Sequence, residues 1–260
     1  MIAEDAQPPA CGRERDDRSV TRPDTLRTPV VDSRAATVRL AAGSEGLVEC
    51  AGVEPKPRLR GWLHAAMFPF SLAGGIVLIA LARPTAAAAS SVYALSVCLL
   101  LGTSGLYHRR TWGPRGEAVL RRLDHANIFL ITAGTYTPVA VMLLPAGRRL
   151  VLLSLVWGGA AAGIAFRVCW IKAPRWLYTL CYLALGWVAV FYLPAFAHTG
   201  GILVVTLIIA GGLFYTAGAA VYAFKRPDPS PRWFGFHEVF HSLTIAALAS
   251  HYTAILIVTT

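Results

Sequence analysis

Charged residues are scarce in this sequence. They make up 15% of its 260 residues, whereas a typical soluble domain carries about 25%. Hydrophobic residues make up 55% of the chain, and its mean hydropathy is +0.54. This composition argues against an ordinary soluble domain and is typical of a protein whose helices lie in a membrane.

Acidic residues are almost missing after residue 55, where only Glu117, Asp124, Asp228 and Glu238 remain. Residues 1–55 hold seven Arg and ten acidic residues, a net charge of −3. The remainder holds seventeen basic and four acidic residues, a net charge of +13. We assign this basic excess to the loops of a membrane domain, and we expect no binding of nucleic acid.

Cysteine pairs and a secretory signal are also missing. The five cysteines form no C-x-x-C pair and are odd in number, so they indicate no disulfide framework. The first residues, MIAEDAQPPACGRERDD, have no apolar core of a signal peptide. We therefore expect insertion to rely on the first transmembrane segment.

Residues 1–55 contain no aromatic residue and no sustained hydrophobic period. Because such a segment buries too little apolar surface to offset its chain entropy, we expect a disordered, cytoplasmic N-terminal tail. Residues 56–260 form the predicted membrane domain.

Seven apolar runs follow the tail, and each contains about twenty residues, enough to span a hydrocarbon core of about 30 Å. The sequence thus predicts an all-α, polytopic membrane protein with seven transmembrane helices. We place them near residues 62–82, 86–107, 124–144, 150–169, 175–196, 201–223 and 235–258.

Lysine and arginine are divided unequally between the two sets of predicted loops. The loops on the N-terminal side carry fourteen of them, and those on the opposite side carry only Arg83, Arg148 and Arg149. The positive-inside rule then places the N-terminus in the cytoplasm and the C-terminus outside. We expect the protein to be integral to a bacterial plasma (inner) membrane.

Five polar residues fall at the ends of predicted helices, on the cytoplasmic side in every case: Ser104, His108, Asp124, His237 and His241. Ionisable groups at membrane depth are costly unless they are paired or bound to metal, so they are candidates for a functional site. Polar residues at the membrane interface, beside arginines, are the alternative interpretation.

The spacing of these residues predicts a zinc site. His237 and His241 are four residues apart and share one helix face, as do Ser104 and His108. Three His ligands, His108 with His237 and His241, leave a fourth position open, which is the layout of catalytic zinc. Asp124 would then act as general base or hold the water, and Ser104 would donate to the water or to a substrate carbonyl.

The same motifs resemble the haemolysin III family: Ser104-x-x-x-His108, Leu123-Asp124-His125 leading into Ala133-Gly-Thr-Tyr-Thr-Pro138, and His237-x-x-x-His241. Arg60-Gly-Trp-Leu-His64 is similar to the family's opening. That family is related to the progestin and adiponectin receptors and to alkaline ceramidases. The resemblance implies seven helices, zinc on His108, His237 and His241, and a water bridged to Asp124 with Ser104 adjacent.

Three functions remain open from the sequence. The receptors and ceramidases imply zinc-dependent hydrolysis of a lipid amide or ester, with a membrane lipid as substrate. The family name implies instead cytolysis by pore formation. A second hypothesis is thus a cytolytic pore-forming or receptor-like protein in which zinc is structural and holds helices together. His237-Glu238-Val-Phe-His241 also fits the H-E-x-x-H motif, in which Glu238 would be the base of an intramembrane metalloprotease.

Overall fold

The computed structural model describes residues 57–170 and 173–260, and within them it is helical throughout, apart from short connections. The predicted disordered tail, residues 1–55, lies outside the described residues. The α-helices are α1 (Trp62–Leu81), α2 (Pro84–Arg109), α3 (Pro114–Leu143), α4 (Ala146–Cys169), α5 (Arg175–Gly186), α6 (Leu193–Phe224) and α7 (Phe236–Thr259), and a 3₁₀ turn, Trp187–Tyr192, joins α5 to α6.

Proline marks the start of several helices because its missing N–H is not needed there. Pro84 and Pro114 occupy the first positions of α2 and α3. The prediction that the third helix opens at Asp124 is wrong, since α3 begins ten residues earlier and Asp124 lies almost three turns inside it. The first turns of α3 carry Glu117, Arg121 and Arg122, so they are too polar to appear in an apolar run.

Six helical stretches in the described part of the chain are long and apolar enough to cross a membrane. The longest, Arg175–Phe224, has 50 residues and contains the non-helical Gly201. Two contacts show that this stretch doubles back on itself. The hydroxyl groups of Tyr178 and Tyr222 lie 3.4 Å apart, and the indole N–H of Trp187 donates to the hydroxyl of Thr216 at 3.0 Å. Seven membrane crossings stay a prediction.

The outer surface of the bundle is apolar. Phe70, Ile76, Phe191, Ile202 and Phe224 are among its exposed side chains, with 61–83% of their surface accessible. A water-soluble monomer rarely exposes so much contiguous apolar surface, whereas lipid chains cover it without penalty. The core is formed by buried side chains from all seven α-helices, with the largest share from α3.

The two ends of the bundle are fixed by backbone contacts. At one end, the N–H groups of Arg58 and Leu59 donate to the carbonyls of Arg232 and Trp233, which joins the start of α1 to the loop before α7. At the other end, the Arg83 N–H donates to the Thr259 carbonyl at 2.9 Å. Helices α1 and α7 therefore run in the same direction.

Gly61 allows α1 to begin against the end of α2. Its φ is +78°, and a Cβ at this position would lie 2.6 Å from the Cβ of His108. A side chain would thus be strained by the backbone conformation and would also push His108 away.

We expect Gly61→Ala to destabilise the protein by about 1–3 kcal/mol, the cost of a non-glycine residue in a strained backbone conformation. Thermal unfolding in detergent measures it. Gly147→Ala is the matched control, because a Cβ there meets nothing within 4 Å. Equal melting temperatures for both variants would contradict the role assigned to Gly61.

Candidate functional site

The polar residues singled out in the sequence meet at the end of the bundle where α1 and α7 begin. Ser104 and His108 come from the last turns of α2, Asp124 from α3, and His237 and His241 from the first turns of α7. The candidate metal-binding nitrogens of His108, His237 and His241 all lie within 4.8 Å of one another.

The geometry of the three imidazoles fits a metal ion. The Nε2 atoms of His108 and His237 are 3.2 Å apart. Two nitrogens bound at 2.0–2.1 Å to one tetrahedral zinc would be separated by about 3.3 Å. Imidazole is also among the commonest ligands of zinc, so the chemistry of the donors fits as well.

Asp124 lies beside this trio. Its Oδ2 is 3.7 Å from Nε2 of His108. The side chain of Ser104, which is buried, forms a hydrogen bond with Asp124. The Ser104 hydroxyl can donate to a carboxylate oxygen, and this bond holds the Asp124 side chain next to His108.

His64, on α1, is part of the same cluster, although it was not among the candidate site residues that the sequence indicated. Its ring stacks on that of His241, with centroids 3.8 Å apart and planes 12° apart. His64 is buried, and neither of its ring nitrogens has a hydrogen-bond partner among the described residues. The stack therefore sets the plane of the His241 imidazole. His64 has no histidine partner four residues away, so no spacing pattern in the sequence marks it.

Two other histidines of the chain are arranged differently. Nδ1 of His125 forms a hydrogen bond of 2.7 Å with the carbonyl oxygen of Arg121. His125 is not one of the three clustered histidines. His198 is exposed, near the start of α6.

The carboxylate of Glu238 contacts Arg60 and the start of α7. Its Oε1 lies 2.7 Å from Nε of Arg60, and its Oε2 accepts the Gly235 N–H at 2.9 Å, which caps the start of α7. The contact with Arg60 is an ion pair without the alignment of a hydrogen bond. With both oxygens occupied, Glu238 is poorly placed to act as the base of an H-E-x-x-H protease.

A cavity of about 520 Å³ opens from the cluster into the bundle. Its walls away from the cluster are mainly apolar and include Ile128, Ile131, Val139, Leu183, Val190 and Ile208. Its size is within the range of small-molecule binding sites, about 300–1,000 Å³. This cavity could not be predicted from the sequence, because its walls come from helices that are distant in the chain.

The Arg60–Glu238 pair generates a prediction about stability. We expect Arg60→Met to destabilise the protein by about 3 kcal/mol, because it leaves the buried Glu238 carboxylate without its counter-charge. Adding Glu238→Gln should recover part of that loss, since glutamine still caps α7 without a charge. Thermal unfolding of both variants in detergent tests this, and a double variant less stable than Arg60→Met would contradict it.

Comparison with known proteins identifies the family of the chain. Residues 54–252 match the protein family described as haemolysin-III related. The chain is similar to "Hemolysin-3" of Bacillus cereus, with 29% identity over 173 residues, which cover 66% of this chain and 75% of that protein. It is similar to "Hemolysin-3 homolog" of Bacillus subtilis (strain 168), with 29% identity over 167 residues, 64% of this chain and 75% of the relative. The chain therefore belongs to the haemolysin-III related family, and its apolar helices make it an integral membrane protein.

Proposed function

We propose that this protein is a zinc-dependent hydrolase of a lipid amide or ester, embedded in a bacterial plasma membrane. The observation that carries the proposal is the position of the histidine trio and Asp124 at one end of a cavity with apolar walls. A metal cluster that serves only to hold helices together has no need of such a cavity.

His108, His237 and His241 are the residues that would hold the zinc ion. When bound, zinc supplies a Lewis acid that polarises a carbonyl and makes water nucleophilic near neutral pH. His64 stacks on His241 and restricts its rotation. Since His108 and His237 belong to different helices, the ligand set is complete only in the folded bundle.

Asp124 is the group best placed to move a proton. Its carboxylate faces the trio from α3, and the Ser104 hydroxyl holds it in that orientation. In hydrolysis Asp124 would accept a proton from the water that attacks the substrate carbonyl, and would return it to the leaving amine or alcohol. Ser104 acts on the reaction through Asp124 in this arrangement, as a positioning residue.

The cavity indicates the class of substrate. A lipid chain fits walls made of isoleucine, valine and leucine, because it replaces water there at a gain of about 0.8 kcal/mol for each buried methylene group. The polar end of the same molecule would then lie at the histidine cluster. The cavity is also lined by Arg60, Arg121 and Arg175.

We also propose seven membrane crossings, with the N-terminus in the cytoplasm and the C-terminus outside. The contact between Tyr178 and Tyr222 supports a division of Arg175–Phe224 into two crossings. The unequal numbers of Lys and Arg in the two sets of loops support the orientation. The histidine cluster then lies towards the cytoplasmic side.

A cytolytic or receptor-like protein with structural zinc is the second candidate. The relative from Bacillus cereus is called "Hemolysin-3", which is the observation that favours it. In this case the ion would only join α2 to α7, and the Asp124 carboxylate would be dispensable for activity.

Zinc content provides the first test. We expect about one zinc ion per chain in detergent-purified protein and almost none in the His237→Ala/His241→Ala double variant, because one imidazole cannot replace three. Elemental analysis by mass spectrometry measures it. His198→Ala, at an exposed position, is the control and should keep its zinc. Wild-type protein that purifies without zinc and does not take it up would refute the metal site.

Asp124→Asn separates the two candidate functions. We expect this variant to retain its zinc and to hydrolyse lipid amides about 10²–10⁴-fold more slowly, the usual contribution of a general base. Release of fatty acid from a panel of N-acyl lipids measures the rate. Glu117→Gln, an exposed carboxyl on the same helix, is the control. If wild-type protein with zinc releases no fatty acid from any of them, the second candidate is favoured.

A further inference from the structure

A second polar pair lies in the cavity, apart from the histidine cluster. His251 follows His241 by ten residues on α7, which is about 15 Å along the helix. Tyr215 of α6 faces His251, with ring centroids 5.7 Å apart. Both residues line the same cavity as Asp124 and the three clustered histidines. His251 is buried, with 9% of its surface exposed.

Gly211 determines where the His251 ring lies. A Cβ at Gly211 would overlap the imidazole, so the ring packs directly against the backbone of α6. There its Nε2 is 3.3 Å from the carbonyl oxygen of Ile208. Because a carbonyl only accepts hydrogen bonds, Nε2 carries the proton, and Nδ1 of the neutral ring is an acceptor.

Two atoms of the pair lack hydrogen-bond partners among the described residues: Nδ1 of His251 and the hydroxyl oxygen of Tyr215, both buried. Buried polar atoms are nearly always satisfied by protein, ligand or water. Since both residues line the cavity, water or a molecule bound there can reach these two atoms. The pair offers that molecule one acceptor and one hydroxyl donor.

We infer that His251 and Tyr215 form a subsite for a hydroxyl group carried on the chain of the bound lipid; this inference rests on the lipid substrate proposed above. A hydroxyl group donates to Nδ1 of His251 and accepts from the Tyr215 hydroxyl, so it satisfies both atoms at once. A methylene group forms a hydrogen bond with neither atom, and a carbonyl group accepts a hydrogen bond only from the Tyr215 hydroxyl. The subsite therefore selects a lipid that is hydroxylated along its acyl chain, well away from the bond that is cleaved.

Binding of fatty acids tests the subsite independently of hydrolysis. The probe is a fluorescent fatty acid bound to the detergent-purified protein, and the competitors are stearic acid and a series of hydroxystearic acids with the hydroxyl group at successive positions. We expect one position in the middle of the chain to bind about tenfold more tightly than stearic acid, the effect expected of a satisfied buried polar pair.

Three variants complete the experiment. Tyr215→Phe and His251→Leu should lose most of the preference for the hydroxylated chain and keep their affinity for stearic acid, which shows that they are folded. Tyr93→Phe is the matched control, because it removes a buried tyrosine hydroxyl that is bonded to the Leu248 carbonyl. That variant should keep the full preference.

The outcomes distinguish this inference from the proposed function. If stearic acid and every hydroxystearic acid bind to the wild type with equal affinity, the subsite is refuted, and His251 and Tyr215 contact only water. The proposal that the cavity binds a lipid chain is then unaffected. A preference that survives in both Tyr215→Phe and His251→Leu also refutes the subsite. If no fatty acid displaces the probe, the lipid substrate fails, and this inference fails with it.

Discussion

The close contact of three helix ends is the constraint on which the rest of the site depends. The start of α1, the end of α2 and the start of α7 meet because Gly61 has no side chain to keep His108 away, and because Arg60 reaches the buried carboxylate of Glu238. Hydrogen bonds from Arg58 and Leu59 to the loop before α7 reinforce the contact. His108 and His237, 129 residues apart in the chain, thereby come within 3.2 Å of each other.

This contact concentrates polar groups where the composition provides very few. Two of the four acidic residues that follow residue 55, Asp124 and Glu238, lie at this end of the bundle, and each has a different partner. Glu238 is held by Arg60 and by the N-terminus of α7, so its charge serves the structure. Asp124 is held by Ser104 and faces the imidazoles. The contacts of the two carboxylates therefore differ, and this difference is the reason why we propose a chemical role for Asp124 and not for Glu238.

Much of the site could be predicted from the sequence because its residues follow helical spacing. Ser104 with His108, and His237 with His241, are four residues apart, and the apolar runs around them indicated that all lie near one membrane face. The sequence could not reveal that His64 stacks on His241, since a single histidine carries no periodic signal. The start of α3 at Pro114 was missed because its first turns are too polar for a search based on apolar runs. The pairing of Arg60 with Glu238 and the cavity both depend on contacts between distant helices, which no local pattern encodes.

The choice between a catalytic and a structural metal depends on what occupies the fourth side of the trio. A structural zinc is closed by four protein ligands, whereas a catalytic zinc keeps one position for water or substrate. Asp124 lies beside the trio, with its Oδ2 3.7 Å from Nε2 of His108, but it is not one of the three clustered ligands. The cavity reaches the trio and Asp124 alike. Around an ion that only joined helices, we would expect protein side chains to fill the space on the fourth side. An open cavity there removes packing contacts that stabilise the bundle. For this reason we propose a metal that acts on a molecule in the cavity.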